Sequence, residues 1–148
     1  MHQMSDKRNR VIEMIWLTAQ DYNRLRGLLS DLGRQSRGVQ AGVDALEEIL
    51  DFARVVGSDK VPENVVTMKS HVRYVDMASG EEAEVTIVYP AEADANVGRI
   101  SVLSPVGAAL LGESEGNEID LPLPYGRKRR IRIEQVIYQP EAQGDLTL

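Results

Sequence analysis

The sequence predicts an α+β protein: a short antiparallel helical hairpin of coiled-coil type, followed by a small antiparallel β-sheet wrapped on a short helix. Two apolar stripes with helical spacing come first, separated by a polar stretch between two glycines. From residue 66 onward, apolar and polar residues instead alternate with a period of two. We therefore divide the chain into a disordered tail (1–10), a hairpin region (11–58) and a sheet region (59–148).

Composition excludes several classes of function. The chain of 148 residues contains no cysteine, which excludes disulfides, thiolate metal sites and a cysteine nucleophile. Its formal net charge of -6 argues against a general nucleic-acid binder. No apolar run approaches the roughly 20 residues of a membrane span, and the amino end is a poor signal peptide. We expect a cytoplasmic protein with no membrane partner.

The first predicted elements are a strand and a helix. The segment VIEMIWL, residues 11–17, is short, apolar and bounded by polar sequence, which favours a strand. Thr18 then offers a hydroxyl to the free amides of a helix start, and Asp21 lies near the positive end of the helix dipole. The helix should run from about 19 to 32, and its apolar stripe consists of Tyr22, Leu25, Leu28, Leu29 and Leu32.

A polar turn and a second helix complete the predicted hairpin. The segment GRQSRG, residues 33–38, has the glycines of a helix–helix turn, and its tip consists of Arg34, Gln35, Ser36 and Arg37. The second helix should begin between 39 and 44 and end near 56. Its stripe consists of Val43, Leu46, Ile49, Leu50, Ala53 and Val56. Facing stripes on two such helices bury each other.

Five strands are predicted in the sheet region. They cover residues 66–75, 84–90, 99–103, 119–124 and 130–138. Pro122 and Pro124 indicate that the fourth strand lies at an edge of the sheet. In the fifth, Ile131 and Ile133 should face the core, opposite Arg130, Arg132 and Glu134.

A short apolar helix is predicted between the third and fourth strands. In the segment SPVGAALLG, residues 104–112, the proline keeps Ser104 extended, as a helix cap requires, and Pro105 fits the first helical position. Gly112 suits a left-handed stop. These residues alone predict a helix that packs on the concave side of the sheet, which accounts for the Ser104–Pro105 corner without any function.

Sequence landmarks in the sheet region also resemble a known family. They are VVTMKSHVRYVD, TIVYPAEADAN, SVLSPVGAALLG and YQPEAQGDLTL, and together they cover most of residues 62–148. The chain resembles the GreA/GreB transcription elongation factors, most closely the Rnk branch, the regulators of nucleoside diphosphate kinase. The resemblance implies an FKBP-like sheet domain and a helical hairpin that together bind bacterial RNA polymerase, with the hairpin in the secondary channel.

The resemblance also implies a docking surface. In Gre factors the loop with the Ser-Pro pair docks on the polymerase, which here corresponds to Ser104 and Pro105. Gre factors often carry an acid at the preceding position, where this chain has Leu103, a residue that could instead fill the core. The resemblance connects the chain with nucleoside diphosphate kinase as a regulator, and no phosphate-binding loop is present at residues 112–116.

The hairpin tip lacks the chemistry of transcript cleavage. Gre factors place two carboxylates at the tip to help hold a magnesium ion, a hard cation that needs oxygen ligands. The tip of this chain carries Arg34 and Arg37 and no acid, while Asp31 and Asp44 lie further inside the helices. We expect polymerase binding without cleavage, no catalytic residue and no metal or other cofactor. A true cleavage factor is the alternative. The tip arginines are either solvated or in contact with the acidic channel or RNA.

Two further features leave alternatives open. The basic run RKRRIR, with Arg127, Lys128, Arg129, Arg130 and Arg132, is either a charged outer face or a candidate contact for phosphate or an acidic protein. Nucleic acid in the transcription complex would then be an indirect partner. Base stacking is not expected, because no aromatic platform is evident beside the run.

An FKBP-like fold also raises an isomerase or ligand-binding alternative, which would need an aromatic pocket. The tyrosines of this region are expected to be sheet and core residues: Tyr74, Tyr89, Tyr125 and Tyr138.

Overall fold

The computed structural model describes residues 14–32, 40–122 and 124–145. In the hairpin region, two short strands flank two helices. These elements are β1 (Trp16–Thr18), α1 (Ala19–Leu32), α2 (Gln40–Phe52) and β2 (Arg54–Val56). The predicted tip, residues 33–38, lies outside the described residues.

Among its described residues, the sheet region contains five strands and one short α-helix. They are β3 (His71–Asp76), β4 (Glu82–Val88), β5 (Arg99–Ser101), α3 (Pro105–Leu110), β6 (Glu118–Pro122) and β7 (Lys128–Tyr138). The five strands form one sheet in the order β5-β4-β3-β7-β6. The sheet edge predicted for the fourth strand is confirmed, since β6 is an outer strand.

The predicted first helix is confirmed, with its ends where the sequence signals lie. The backbone N–H of Asp21 donates to Thr18 Oγ1 over 3.0 Å, so the threonine hydroxyl satisfies a free amide of the first turn. Leu25 is fully buried, and the other stripe residues pack against the same core. The predicted strand before it is reduced to β1, and residues 11–13 lie outside the described residues.

The predicted end of the second helix is wrong. The helix ends at Phe52 rather than near 56, and residues 54–56 form β2, which pairs in parallel with β1. Two consecutive β-branched residues, Val55 and Val56, favour this extended conformation. The apolar spacing that predicted a longer helix could not reveal the pairing, because the partner strand lies about 40 residues away in sequence.

The predicted strand at 66–75 begins too early, since residues 66–70 form a tight turn before β3. The Thr67 N–H donates to Ser70 Oγ, and the Ser70 N–H donates to the Thr67 carbonyl. Lys69 has a φ of 71°, a left-handed value incompatible with a strand. Side-chain hydrogen bonds of serine and threonine to the local backbone compete here with strand pairing.

The expectation of an entirely antiparallel sheet is also wrong. β4 and β5 pair in parallel, whereas the β3–β4, β3–β7 and β6–β7 pairs are antiparallel. The connection between β4 and β5 contains two 3-10 turns, at Pro90–Glu92 and Ala95–Val97, that return the chain to the same end of the sheet. β5 ends at Ser101, two residues before the predicted end.

One hydrophobic core joins the hairpin to the sheet. Its buried members include Leu25 of α1, Leu46 of α2, Leu110 of α3, Ile87 of β4 and Ile133 of β7. All five are fully buried. The base of the hairpin therefore packs on the sheet region instead of standing apart from it.

Candidate docking surface

The Ser104–Pro105 corner has the conformation that its sequence predicts. Ser104 is extended, with φ -73° and ψ 157°, and its Oγ accepts from the Gly107 N–H over 3.1 Å. The same hydroxyl donates to the Ser101 carbonyl over 2.7 Å. Pro105 occupies the first turn of α3, where its missing N–H removes no helical hydrogen bond. The corner is therefore held by hydrogen bonds on both sides of the serine.

The three residues of this predicted docking site differ in exposure. Pro105 is exposed and Ser104 is half-buried. Leu103 has only 7% of its surface exposed and belongs to the hydrophobic core. The side chain that replaces the acid of the Gre pattern therefore fills the interior, and the surface of the corner is formed by Ser104 and Pro105.

The hairpin helix α2 lies directly against the backbone of this corner. A Cβ added to Gly42 would lie 2.1 Å from the Leu103 carbonyl oxygen and 2.9 Å from its carbonyl carbon. No side chain larger than hydrogen fits between the two backbones at this approach. The position of α2 is therefore fixed relative to the Ser104–Pro105 corner.

A second glycine contact lies just beyond the other end of α3. Gly112 has a φ of 82°, which confirms the predicted left-handed stop, and its carbonyl accepts from the Trp16 N–H of β1. A Cβ at Gly112 would lie 2.5 Å from Ile15 Cγ2. α3 is thus flanked by two contacts with the hairpin region, one to α2 and one to β1. The short helix links the hairpin to the sheet.

A buried carboxyl group attaches α1 to the turn before β3. Asp21 is 5% exposed, and its Oδ2 accepts from the Met68 N–H over 3.1 Å. Burial raises the pKa of the Asp21 carboxyl to about 7; the charge of Glu141 adds to this rise, and the Met68 hydrogen bond opposes it. Around neutral pH this carboxyl is therefore partly protonated.

The acids nearest the hairpin tip lie on the helices. Asp31 is exposed in the last turn of α1, and Asp44 is exposed near the start of α2, where it accepts from Gln40 Nε2 over 2.9 Å. Arg34, Gln35, Ser36 and Arg37 lie outside the described residues.

Cations of the basic run pair with nearby acids. Arg130 pairs with Glu118 and Asp120, both at 3.0 Å, and Arg132 pairs with Glu134 at 2.6 Å. Hydrogen bonds from Arg130 to Glu118 raise the pKa of the Arg130 guanidinium still further. Arg129 reaches Asp76 at 2.9 Å. The alternation predicted for this strand is confirmed, because Ile131 and Ile133 are fully buried.

Three residues differ from what the sequence indicates. Gly42 carries no sequence signal that separates it from an ordinary glycine near a turn, and only its contact with Leu103 reveals its role. Asp21 is buried as well as being near the helix dipole. The prediction that Tyr125 is a sheet or core residue is wrong, since its side chain is 98% exposed. The adjacent Gly126, typical of a turn, is the one sequence signal for that exposure.

Two kinds of site are absent from the described residues. No group of three or more histidine or acidic side chains there is placed to hold a metal ion. His71 instead lies on the sheet face, with its ring nitrogens 2.8 Å from Thr86 Oγ1 and 2.9 Å from Glu84 Oε1. Within the same part of the chain, no helix has the length and apolar character required to cross a bilayer.

Comparisons with known proteins agree with the sequence landmarks. Residues 61–138 match the family model of the GreA/GreB transcription elongation factor carboxyl-terminal domain. The regulator of nucleoside diphosphate kinase of Escherichia coli K12 is 41% identical over 105 residues, 71% of this chain and 77% of that protein. GreA of Oenococcus oeni is 34% identical over 98 residues, 66% of this chain and 60% of that protein.

A solved structure supports the same assignment. A transcription elongation factor GreA/GreB from Nitrosomonas europaea is 42% identical and superposes with a TM-score of 0.68, covering 84% of this chain and 98% of that chain. This agreement extends beyond the sheet region to most of the molecule. The chain belongs to the GreA/GreB family of transcription elongation factors and, within it, is similar to the regulator of nucleoside diphosphate kinase over most of its length.

Proposed function

We propose that this chain is a non-enzymatic regulator that binds bacterial RNA polymerase at the secondary channel without stimulating transcript cleavage. The Ser104–Pro105 corner docks on the channel rim, and the hairpin occupies the entrance. The observation that carries the proposal is the match of residues 61–138 to the GreA/GreB carboxyl-terminal domain. The close approach of Gly42 to Leu103, where a Cβ would lie 2.1 Å from the carbonyl oxygen, supports the orientation of the hairpin. Because α2 rests on the corner's backbone, docking of the corner fixes the direction of the hairpin.

The tip sequence and the hairpin length support the proposed lack of cleavage. Residues 33–38 contain no acid, so the tip offers no carboxylate to a magnesium ion. The helices have 14 and 13 residues, which corresponds to about 20 Å at 1.5 Å per residue. In this proposal a hairpin of that length is too short to bring its tip to the catalytic centre of the polymerase. In this proposal Arg34, Gln35, Ser36 and Arg37 contact the channel wall rather than the reacting groups.

A retention assay tests the docking surfaces. Immobilised chain is incubated with core polymerase, beside a Pro105→Ala variant and a variant with residues 33–38 replaced by Gly-Ser. Both variants should retain less polymerase. Pro90→Ala is the matched control, because Pro90 likewise begins a short helical turn but lies outside the corner. Retention that neither variant weakens would show that the assigned surfaces are wrong.

A cleavage assay separates the proposal from its alternative. Stalled elongation complexes are incubated with the chain, with a GreA factor as positive control, and the nascent RNA is sized. We expect no shortening by this chain, and slower shortening when it competes with GreA. Shortened RNA with this chain alone would establish the alternative, a true cleavage factor.

The remaining predictions from the resemblance belong to the same proposal. They are an FKBP-like sheet domain, a coiled-coil hairpin, a cytoplasmic location and a regulatory connection with nucleoside diphosphate kinase. The isomerase alternative has no supporting observation here, since the tyrosines of the sheet region do not converge on a pocket: Tyr125 is exposed, while Tyr89 packs at the edge of the core. Catalysed isomerisation of a proline peptide by the purified chain would establish the isomerase alternative instead.

A further inference from the structure

The loop between β6 and β7 presents an aromatic side chain to solvent. Tyr125 is 98% exposed, the most exposed large apolar side chain among the described residues. Its ring contributes nothing to the core, which contains the strand residues Ile119, Leu121 and Ile131 of the same β-hairpin. An aromatic ring this exposed has two open faces.

The backbone holds the ring in this position. Tyr125 has a φ of 64° and Gly126 a φ of 75°, so two consecutive residues adopt the left-handed conformation. A bulky residue rarely takes that conformation, which glycine adopts at no steric cost. The chain therefore turns sharply at the point where the tyrosine projects, between an edge strand and the basic run.

Cations follow directly on the tyrosine. Arg127 and Lys128 are exposed, and the Arg129 side chain stays 55% exposed while it pairs with Asp76. Arg130 and Arg132 lie further along β7 from the tyrosine, where they pair with acids. We call the surface formed by Tyr125, Arg127, Lys128 and Arg129 the tyrosine tip.

We propose that the tyrosine tip binds single-stranded nucleic acid, with an unpaired base stacked on Tyr125 and the flanking phosphates on Arg127 and Lys128. An aromatic platform beside cations is the combination by which proteins bind single strands without sequence preference. The exposed ring of Tyr125 supplies the platform that the sequence alone did not indicate, so the proposal replaces the expectation that no base stacks beside the basic run. A protein-binding hot spot would instead place its aromatic within an apolar, well-packed patch, whereas the residues that follow Tyr125 are a glycine and exposed cations. This inference does not depend on polymerase docking.

Fluorescence anisotropy with a labelled oligouridylate tests the stacking contact. Tyr125→Ala should weaken binding at least about fivefold, because stacking on one aromatic contributes about 1–3 kcal/mol. Tyr125→Phe keeps the ring and should bind within about twofold of the parent chain. Because the position is exposed, thermal unfolding should be unchanged in both variants. Equal binding by Tyr125→Ala would overturn the proposal.

The salt dependence tests the phosphate contacts. Replacing Arg127 and Lys128 by Gln should reduce the slope of log affinity against log salt by about 1.4, since each neutralised phosphate of a single strand contributes about 0.7. The Lys60→Gln/Arg99→Gln variant removes the same charge from exposed positions elsewhere and should keep the slope. Equal slopes for the two double variants would overturn the proposal.

An acidic competitor separates nucleic acid from an acidic protein partner. Polyglutamate should displace oligouridylate poorly at equal charge, because it has no base to stack on Tyr125. Displacement as effective as that by unlabelled oligouridylate would assign the tip to acidic proteins and contradict the proposal.

Discussion

Besides the core that they share, the two helices of the hairpin are attached to the sheet region by different physical means. α1 is held by a hydrogen bond from the Met68 N–H to the buried Asp21 carboxyl group. α2 is held by direct contact of its backbone at Gly42 with the Leu103 carbonyl. The first attachment contains a titratable group, whereas the second contains no side chain at all.

This difference separates what solution conditions can change from what only a substitution can change. The contact of α2 depends on shape, so pH and salt leave it intact. The contact of α1 depends on the protonation of Asp21, whose pKa is raised to about 7 by burial. The contact of α2 with the Ser104–Pro105 corner should therefore be independent of pH, whereas the contact of α1 with residues 66–70 should depend on pH.

The largest effect should come from the core that both helices share. Leu25 of α1 and Leu46 of α2 are both fully buried in the same cluster. Leu25→Ala and Leu46→Ala should each lower the free energy of unfolding by about 2–5 kcal/mol, through lost burial and a cavity. Chemical denaturation followed by circular dichroism should show one transition for each variant.

Exposed residues next to the apolar stripes of the two helices provide the control. Arg26→Ala on α1 and Glu47→Ala on α2 change exposed side chains and should shift stability by less than about 0.5 kcal/mol. If Leu46→Ala produced two separate transitions, the hairpin would unfold independently. The shared core would then be insufficient to couple it to the sheet.

The next effect is a dependence of stability on pH through Asp21. Its folded pKa of about 7 lies above the usual value of 3.8, so the folded chain keeps a proton that the unfolded chain has lost. Stability should therefore fall as pH rises from about 4 to 7, by at most about 4 kcal/mol, since one pKa unit corresponds to about 1.4 kcal/mol.

A neutral isostere isolates this contribution. Asp21→Asn keeps an oxygen for the Met68 N–H and cannot ionise, so the fall between pH 4 and 7 should disappear and stability at pH 8 should increase. Asp31→Asn, on the exposed surface of the same helix, should leave the pH profile unchanged. A profile identical for the parent chain and Asp21→Asn would place the titrating group elsewhere.

Local signals in the sequence were sufficient for elements that depend on near neighbours. The first helix was predicted with its cap, because the Thr18 hydroxyl and the Asp21 amide are three residues apart. The Ser104–Pro105 corner and α3 were predicted for the same reason. The alternation in β7 was equally visible, since Ile131 and Ile133 on one face of that strand are fully buried.

Contacts between distant segments could not be derived in the same way. β2 resembles the last turn of a helix until its pairing with β1 is known. The apolar alternation from residue 66 hid a turn in which Thr67 and Ser70 bond each other. The role of Gly42 depends on the carbonyl of Leu103, far along the chain, for which a single sequence carries no signal.

Gly42 and Gly27 give a matched test of the steric contact. Gly42→Ala should destabilise by about 1–3 kcal/mol, because its Cβ would meet the Leu103 carbonyl oxygen at 2.1 Å. Gly27→Ala, in α1, meets nothing within 4 Å and should stabilise by up to about 1 kcal/mol through helix propensity. Thermal unfolding of both variants measures the difference. Equal shifts of the unfolding temperature, in the same direction for both variants, would show that α2 does not contact the backbone of the corner.

The smallest effect should come from the cap of α3. Ser104→Ala removes the acceptor of the Gly107 N–H and the donor to the Ser101 carbonyl, and should cost about 0.5–2 kcal/mol. Ser104→Thr keeps both hydrogen bonds and should restore most of that stability. Ser79→Ala removes a comparable bond in an exposed turn and should change little. Because α3 lies between the contacts with α2 and β1, a Ser104→Ala variant as stable as the parent would mean that the contact of Gly42 with Leu103 holds the corner in place without its cap.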